Sequence, residues 1–99
     1  TAKEVTIACY GLAFKPDIDD LRESPALNIA NAIVEMHSGN VISVEPNVGL
    51  LPKQFKGKAL SRIEEAYHNA DIHVLLVDHR EFKVAKPSNG MIIDTKGAW

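Results

Sequence analysis

The feature that most constrains the fold is a change of hydrophobic period across a single charged loop. Residues 5–10 (VTIACY) form a short apolar run rich in β-branched side chains and ended by Gly11, which reads as a buried strand. From Leu27 onward the apolar positions recur at helical spacing instead, through Ile29, Ala30, Ile33 and Val34 to Met36 or His37. Ser24 is a good N-cap, Pro25 suits the first helical position, and Ser38-Gly39-Asn40 supplies a stop. The alternation then repeats. A strand is expected over 40–44, a shorter helix over 61–69 with Ile63, Ala66 and Tyr67 inward, a strand over 72–77, one helical turn over 79–82 and a strand over 91–94. Residues 48–58, with two glycines and one proline, read as irregular. Strand–helix–strand order implies parallel strands joined by right-handed crossovers. The expected fold class is therefore α/β, a Rossmann-like three-layer α/β/α sandwich with a mainly parallel sheet.

Ninety-nine residues, 45% of them apolar, suffice for one domain with a single core that folds on its own. The net charge of −2 is spread along the chain, which excludes a basic nucleic-acid footprint and a basic membrane face. Apolar runs such as residues 74–77 are far too short to span a bilayer. A lone cysteine, Cys9, excludes an intrachain disulfide and a Cys-rich zinc site; with no signal peptide at the start, a cytoplasmic location is expected. The start at Thr1 without an initiator Met reads as that of a piece excised from a longer polypeptide.

The loop between the first strand and first helix carries one lysine, one arginine and four carboxylates in the nine residues 15–23. In open α/β sheets ligands bind beyond the carboxyl ends of the strands. That edge should collect Lys15, Glu45, Asp78 and His79, and Asp94 with Lys96. Two lysines there suit an anionic ligand such as a pyrophosphate, helped by free amides at the helix start. Ordinary solvated loop charges would give the same pattern, and the residues alone leave both readings open. Only Gly11 follows the first strand, so the dinucleotide fingerprint G-x-G-x-x-G is missing, and no P-loop occurs. A nucleotide would have to be held by side chains and irregular backbone. His37, His68, His73 and His79 lack metal-type pairing on a common helix face and read as surface or packing residues. Cys9 reads as an inert buried thiol. Asp17, Asp19 and Asp20 lack the later bidentate Glu of a calcium loop and read as charges near a helix start, pairing with Arg22 or Lys15. No metal site and no catalytic residue are expected in this chain.

The segment GLAFKPDIDDLRESP, Gly11 through Pro25, resembles the G-L-A-F-K-x-D-x-D-D-x-R-E-S-P signature of the UDP-glucose/GDP-mannose dehydrogenase family. The resemblance extends along the chain through Val44-Glu45-Pro46-Asn47, Leu76-Val77-Asp78-His79 with Phe82, and Asp94-Thr95-Lys96-Gly97-Ala98-Trp99. These motifs look most similar to the branch acting on UDP-N-acetyl-D-mannosamine, and Lys96 stands where the UDP-glucose branch more often has arginine. The resemblance implies that residues 1–99 are a single C-terminal UDP-binding domain. An NAD-binding Rossmann domain and a central helical region that makes a homodimer would precede it. Such enzymes oxidise the sugar C6 alcohol to a carboxylate in two NAD-dependent steps through a thioester, giving a surface-polysaccharide precursor. The cysteine concerned lies upstream, and Cys9 does not occupy its motif. By position, Phe14, Lys15 and Lys96 would contact the UDP-sugar. Arg22 would reach the NAD phosphates, with tying down Asp17, Asp19 or Asp20 as its alternative role. A UDP-glucose 6-dehydrogenase domain and a non-catalytic Rossmann-like binding module remain the rival readings.

Overall fold

A computed structural model of the chain describes residues 2–13, 24–46 and 60–99. Four strands, β1 (Ile7–Tyr10), β2 (Val41–Val44), β3 (Ile72–Leu75) and β4 (Met91–Asp94), form one sheet in the order β2-β1-β3-β4. All three pairings are parallel, with Ile7 opposite both Val41 and Ile72, and Ile72 opposite Met91. Helix α1 (Pro25–Met36) carries the chain from β1 to β2, α2 (Ile63–Asn69) leads to β3, and the short α3 (Arg80–Lys83) follows it. A single 3-10 turn at Ala2–Glu4, which the sequence pattern did not suggest, precedes the sheet.

The three-layer expectation holds because successive strand side chains alternate between faces. On one face Cys9, Val41 and Val74 pack with Ala26, Leu27 and Ala30 of α1. On the other, Ala8, Tyr10, Val44 and Leu75 pack with Ala66 of α2 and Phe82 of α3, with Tyr67 and Trp99 against them. Tyr10 is the hub of that second layer, its ring 5.1–5.7 Å from those of Tyr67, His73, Phe82 and Trp99. The layer also contains a polar pair: Tyr10 Oη lies 2.7 Å from His73 Nδ1, both side chains being fully buried. Burial pushes the Tyr10 hydroxyl well above its ordinary range. It also lowers His73, against the opposing pull of the Asn89 backbone and the Asp71 charge.

α1 begins as expected, with Ser24 Oγ accepting from Leu27 N at 3.2 Å and Pro25 in the first turn. The strands expected over 5–10 and 72–77, the two central strands of the sheet, are each shorter than expected by two residues at one end. Leu76 N and Val77 N both turn to Tyr10 O, at 2.9 and 3.2 Å, which ends the regular ladder at Leu75. At the opposite end Thr6 O receives Asp71 N and Ile72 N, so Val5 and Thr6 lie before the strand rather than within it. The helix expected over 61–69 starts two residues later because Ser61 N bonds to Ser43 O and holds that segment extended. The irregular stretch expected over 48–58 lies outside the described residues.

Candidate functional site

The strand order places a topological switch point beside β1. The chain leaves β1 for β2 on one side, then crosses to β3 on the other. The carboxyl ends of β2 and β3 therefore flank the exit of β1 from both sides, the usual place for a ligand in such sheets.

Gly11 makes this exit tight. Its φ of +96° lies where L side chains are strained, and a Cβ built on it would come within 2.5 Å of Val77 Cβ. Immediately beyond, Leu12 N and Ala13 N donate to Glu45 Oε1 at 2.7 and 2.9 Å. From the opposite side His79 Nε2 donates to the same oxygen at 2.9 Å, so the ring hydrogen sits on Nε2. Ser24 Oγ donates to Leu12 O at 2.7 Å while capping α1, which ties the far end of the charged loop back to its beginning.

This removes one of the two readings that the sequence left open for Glu45 and His79. Glu45 and His79 do lie at the carboxyl edge, but they are not solvated loop charges: both side chains have no exposed area. Asp78, half-buried, does face outward, with Lys83 Nζ 3.7 Å from its carboxylate.

The loop after β4 is ordered by its own carboxylate. Asp94 Oδ1 accepts from Lys96 N and Gly97 N at 2.9 and 2.8 Å, and Oδ2 accepts from Trp99 N at 2.8 Å. Partial burial pushes this carboxyl up, but the amides of Trp99, Lys96, Gly97 and Ala98 outweigh it and hold Asp94 below its ordinary value. Thr95 Oγ1 donates to Leu75 O at 2.6 Å and Trp99 Nε1 to Phe82 O at 2.7 Å, pinning both ends of the loop. Asp94 is thus a loop organiser rather than a ligand-facing charge, whereas Lys96 is exposed on a fixed backbone. Of the four expected contact residues only Lys96 is described. Phe14, Lys15 and Arg22 lie outside the described residues, as do Asp17, Asp19 and Asp20.

Among the described residues, the amides that open the β1 turn, Leu12 N and Ala13 N, are already occupied by Glu45 and are not open to a phosphate. Among the described residues no group of His, Cys, Asp or Glu could hold a metal ion, and no helix is long and apolar enough to cross a membrane. Cys9 is fully buried, and burial raises its thiol to about 12, so it is no nucleophile near neutral pH. His37 Nε2 contacts Val5 O at 2.7 Å, His68 is exposed, and His73 lies in the Tyr10 layer. A groove of about 330 Å³ between α2 and α3, lined by Ile63, Glu64, Tyr67, Glu81, Val84 and Ala85, shares no residue with this edge.

Sequence reasoning missed the shared oxygen of Glu45 and the Ser24–Leu12 tie. No local signal could have revealed the first, because Glu45 is 33 residues from Leu12 and 34 from His79.

Residues 8–99 match the UDP-glucose/GDP-mannose dehydrogenase family, UDP binding domain. The chain is 54% identical to a UDP-N-acetyl-D-mannosamine dehydrogenase of Yersinia pestis, over 99% of its own length and 24% of that protein. It is 46% identical to an NDP-N-acetyl-D-galactosaminuronic acid dehydrogenase of Ralstonia nicotianae, over 98% of its length and 24% of that protein. The native structure of a UDP-N-acetyl-mannosamine dehydrogenase from Staphylococcus aureus superposes with a TM-score of 0.76 at 30% identity, covering 95% of this chain and 23% of that one. The chain thus spans about a quarter of the length of the relatives it matches.

Proposed function

This chain belongs to the UDP-glucose/GDP-mannose dehydrogenase family as its UDP-binding domain, and from that membership we propose that it holds the UDP-sugar of a UDP-N-acetyl-D-mannosamine 6-dehydrogenase. The full-length enzyme oxidises the C6 alcohol of UDP-N-acetylmannosamine to the carboxylate with NAD as oxidant, in the cytoplasm and as a homodimer through a region outside this chain. Lys96 and Lys15 pair with the anionic part of the substrate, Phe14 packs against it, and Arg22 reaches the NAD phosphates. The oxidation chemistry belongs to the rest of the polypeptide. This chain's own work is to bind and orient.

The observation that supports the reading most is the loop after β4. Three backbone amides and the Thr95 hydroxyl fix its path, so Lys96 is carried, at the carboxyl end of β4, on a backbone that need not be ordered on binding. Filling of the β1 turn by Glu45 supports the division of labour, because it leaves the dinucleotide to another part of the enzyme.

Titrating UDP into the isotopically labelled domain tests the assignment. Amide shifts should concentrate at Phe14, Lys15 and residues 94–97; shifts confined to the amino-terminal edge of the sheet refute it. In the full-length enzyme, kcat/KM for UDP-N-acetylmannosamine should exceed that for UDP-glucose, and the reverse order rejects the sugar assignment.

A further inference from the structure

The amides that open the turn after the first strand are the groups that hold a ligand phosphate in glycine-rich nucleotide-binding turns. Here they are spent internally. Leu12 N, Ala13 N and His79 Nε2 converge on a single carboxylate oxygen, Glu45 Oε1, at 2.7, 2.9 and 2.9 Å. The site is closed to solvent, with neither the Glu45 nor the His79 side chain exposed. A space-filling role there would be served by an apolar side chain, which is far cheaper to bury than a carboxylate. What the carboxylate adds is direction: it fixes two successive peptide planes in the residues immediately before Phe14 and Lys15. Ser24 adds a second tie, its hydroxyl donating to Leu12 O at 2.7 Å, so both ends of the charged loop fasten to one residue.

We infer that Glu45, aimed by His79, is a positioning residue for the UDP-sugar: an internal anion that fills the phosphate-type amides of Leu12 and Ala13 and fixes the backbone of the two residues that precede Phe14 and Lys15 in the sequence. The inference rests on the reading of Phe14 and Lys15 as substrate contacts. The ligand's diphosphate is then excluded from the turn itself and must be met further out, by side chains.

The test uses the full-length dehydrogenase, with kcat, KM for UDP-N-acetylmannosamine, KM for NAD and melting temperature measured for each variant. Glu45→Ala should raise the UDP-sugar KM roughly 10- to 100-fold, the range expected when a binding group is misplaced by about an ångström, with the NAD constant nearly unchanged. Glu45→Gln keeps a carbonyl oxygen for the two amides and should recover most of that loss. A Glu45→Ala enzyme that folds, melts lower and keeps its UDP-sugar KM overturns the inference. If Glu45→Ala does not fold, His79→Ala decides: it leaves the two amides on Glu45 but removes the ring that aims the carboxylate, so the UDP-sugar KM should still rise, and an unchanged KM overturns the inference. Lys15→Ala separates the two levels. Should it raise the KM while the Glu45 and His79 variants do not, positioning is refuted and the substrate reading stands. Should Lys15→Ala leave the KM unchanged, the substrate reading itself falls, and the inference with it.

Discussion

Replacing Gly11 by alanine should be among the most damaging single-methyl changes in this domain. A Cβ at Gly11 would lie 2.5 Å from Val77 Cβ, 2.9 Å from Val77 N and 3.0 Å from Val77 Cγ2. The φ of +96° adds a backbone penalty of about 1–2 kcal/mol for an L side chain. Overpacking of a tight core contributes roughly 1–3 kcal/mol more. The total, about 2–5 kcal/mol, is a large share of the roughly 5–15 kcal/mol expected for a domain of this size. Gly97 isolates the two contributions, since it also has a positive φ, +70°, but nothing lies within 4 Å of its Cβ position. Gly97→Ala should therefore cost only the backbone part, about 1–2 kcal/mol. Trimming the neighbour should not rescue Gly11→Ala, because Val77→Ala removes Cγ2 but leaves the closer Cβ and the backbone nitrogen. Urea denaturation with the m-value monitored, together with thermal melting, provides the assay. At about 4–8 °C per kcal/mol, Gly11→Ala should lower the melting temperature by roughly ten degrees or more. If Gly11→Ala and Gly97→Ala destabilise equally, or Val77→Ala restores the loss, the steric account of the β1 exit is wrong.

Tyr10→Phe removes the hydroxyl facing His73 Nδ1 and leaves a buried ring nitrogen unpaired, so it should cost about 1–3 kcal/mol in denaturant melts; a neutral result would discount that pair. Because burial lowers the folded-state pKa of His73, its contribution to stability is fully present above the unfolded-state value of about 6.5 and declines as pH falls through the lower folded value. His73→Phe should flatten the stability profile below about pH 6.5, and an unaltered slope would assign the acid loss to other groups. Asp94→Ala frees the amides of Lys96, Gly97 and Trp99, so amide exchange should accelerate in residues 95–99 while β1 stays protected; uniform loss of protection would contradict a local role. The purified 99-residue chain should generate no NADH from UDP-N-acetylmannosamine and NAD, as its only thiol is buried in β1, and measurable turnover would overturn the division of labour.

The elements were legible in the sequence because each signal is local. The VTIACY run, the Ser24-Pro25 start and the 3.6-residue apolar recurrence of α1 depend on neighbours a few positions apart, and the structure reproduces them within one or two residues at most ends. Alternation of strand and helix also determined parallel pairing, since a parallel strand can be reached only by a crossover. The family signature at Gly11 through Pro25 was equally open, because it is contiguous. Among the described residues, the meeting of Glu45, Asp78 and His79 at the carboxyl edge also followed from topology. What those residues do there did not. Glu45 and Asp94 look alike in the sequence, each a carboxylate closing an apolar strand. Yet one is buried against Leu12 N, Ala13 N and His79 Nε2 from two other parts of the chain, while the other organises the five residues that follow it. The difference comes from strand order. β2 and β4 are both edges of the sheet, but β2 lies beside β1, whose exit turn presents the Leu12 and Ala13 amides, and His79 after β3 closes over the same exit from the other flank, whereas β4 lies beside β3 only. A buried carboxylate must find donors wherever the fold supplies them, and a half-exposed one is served by the backbone that follows it. Only the tertiary structure decides which of these a given residue meets.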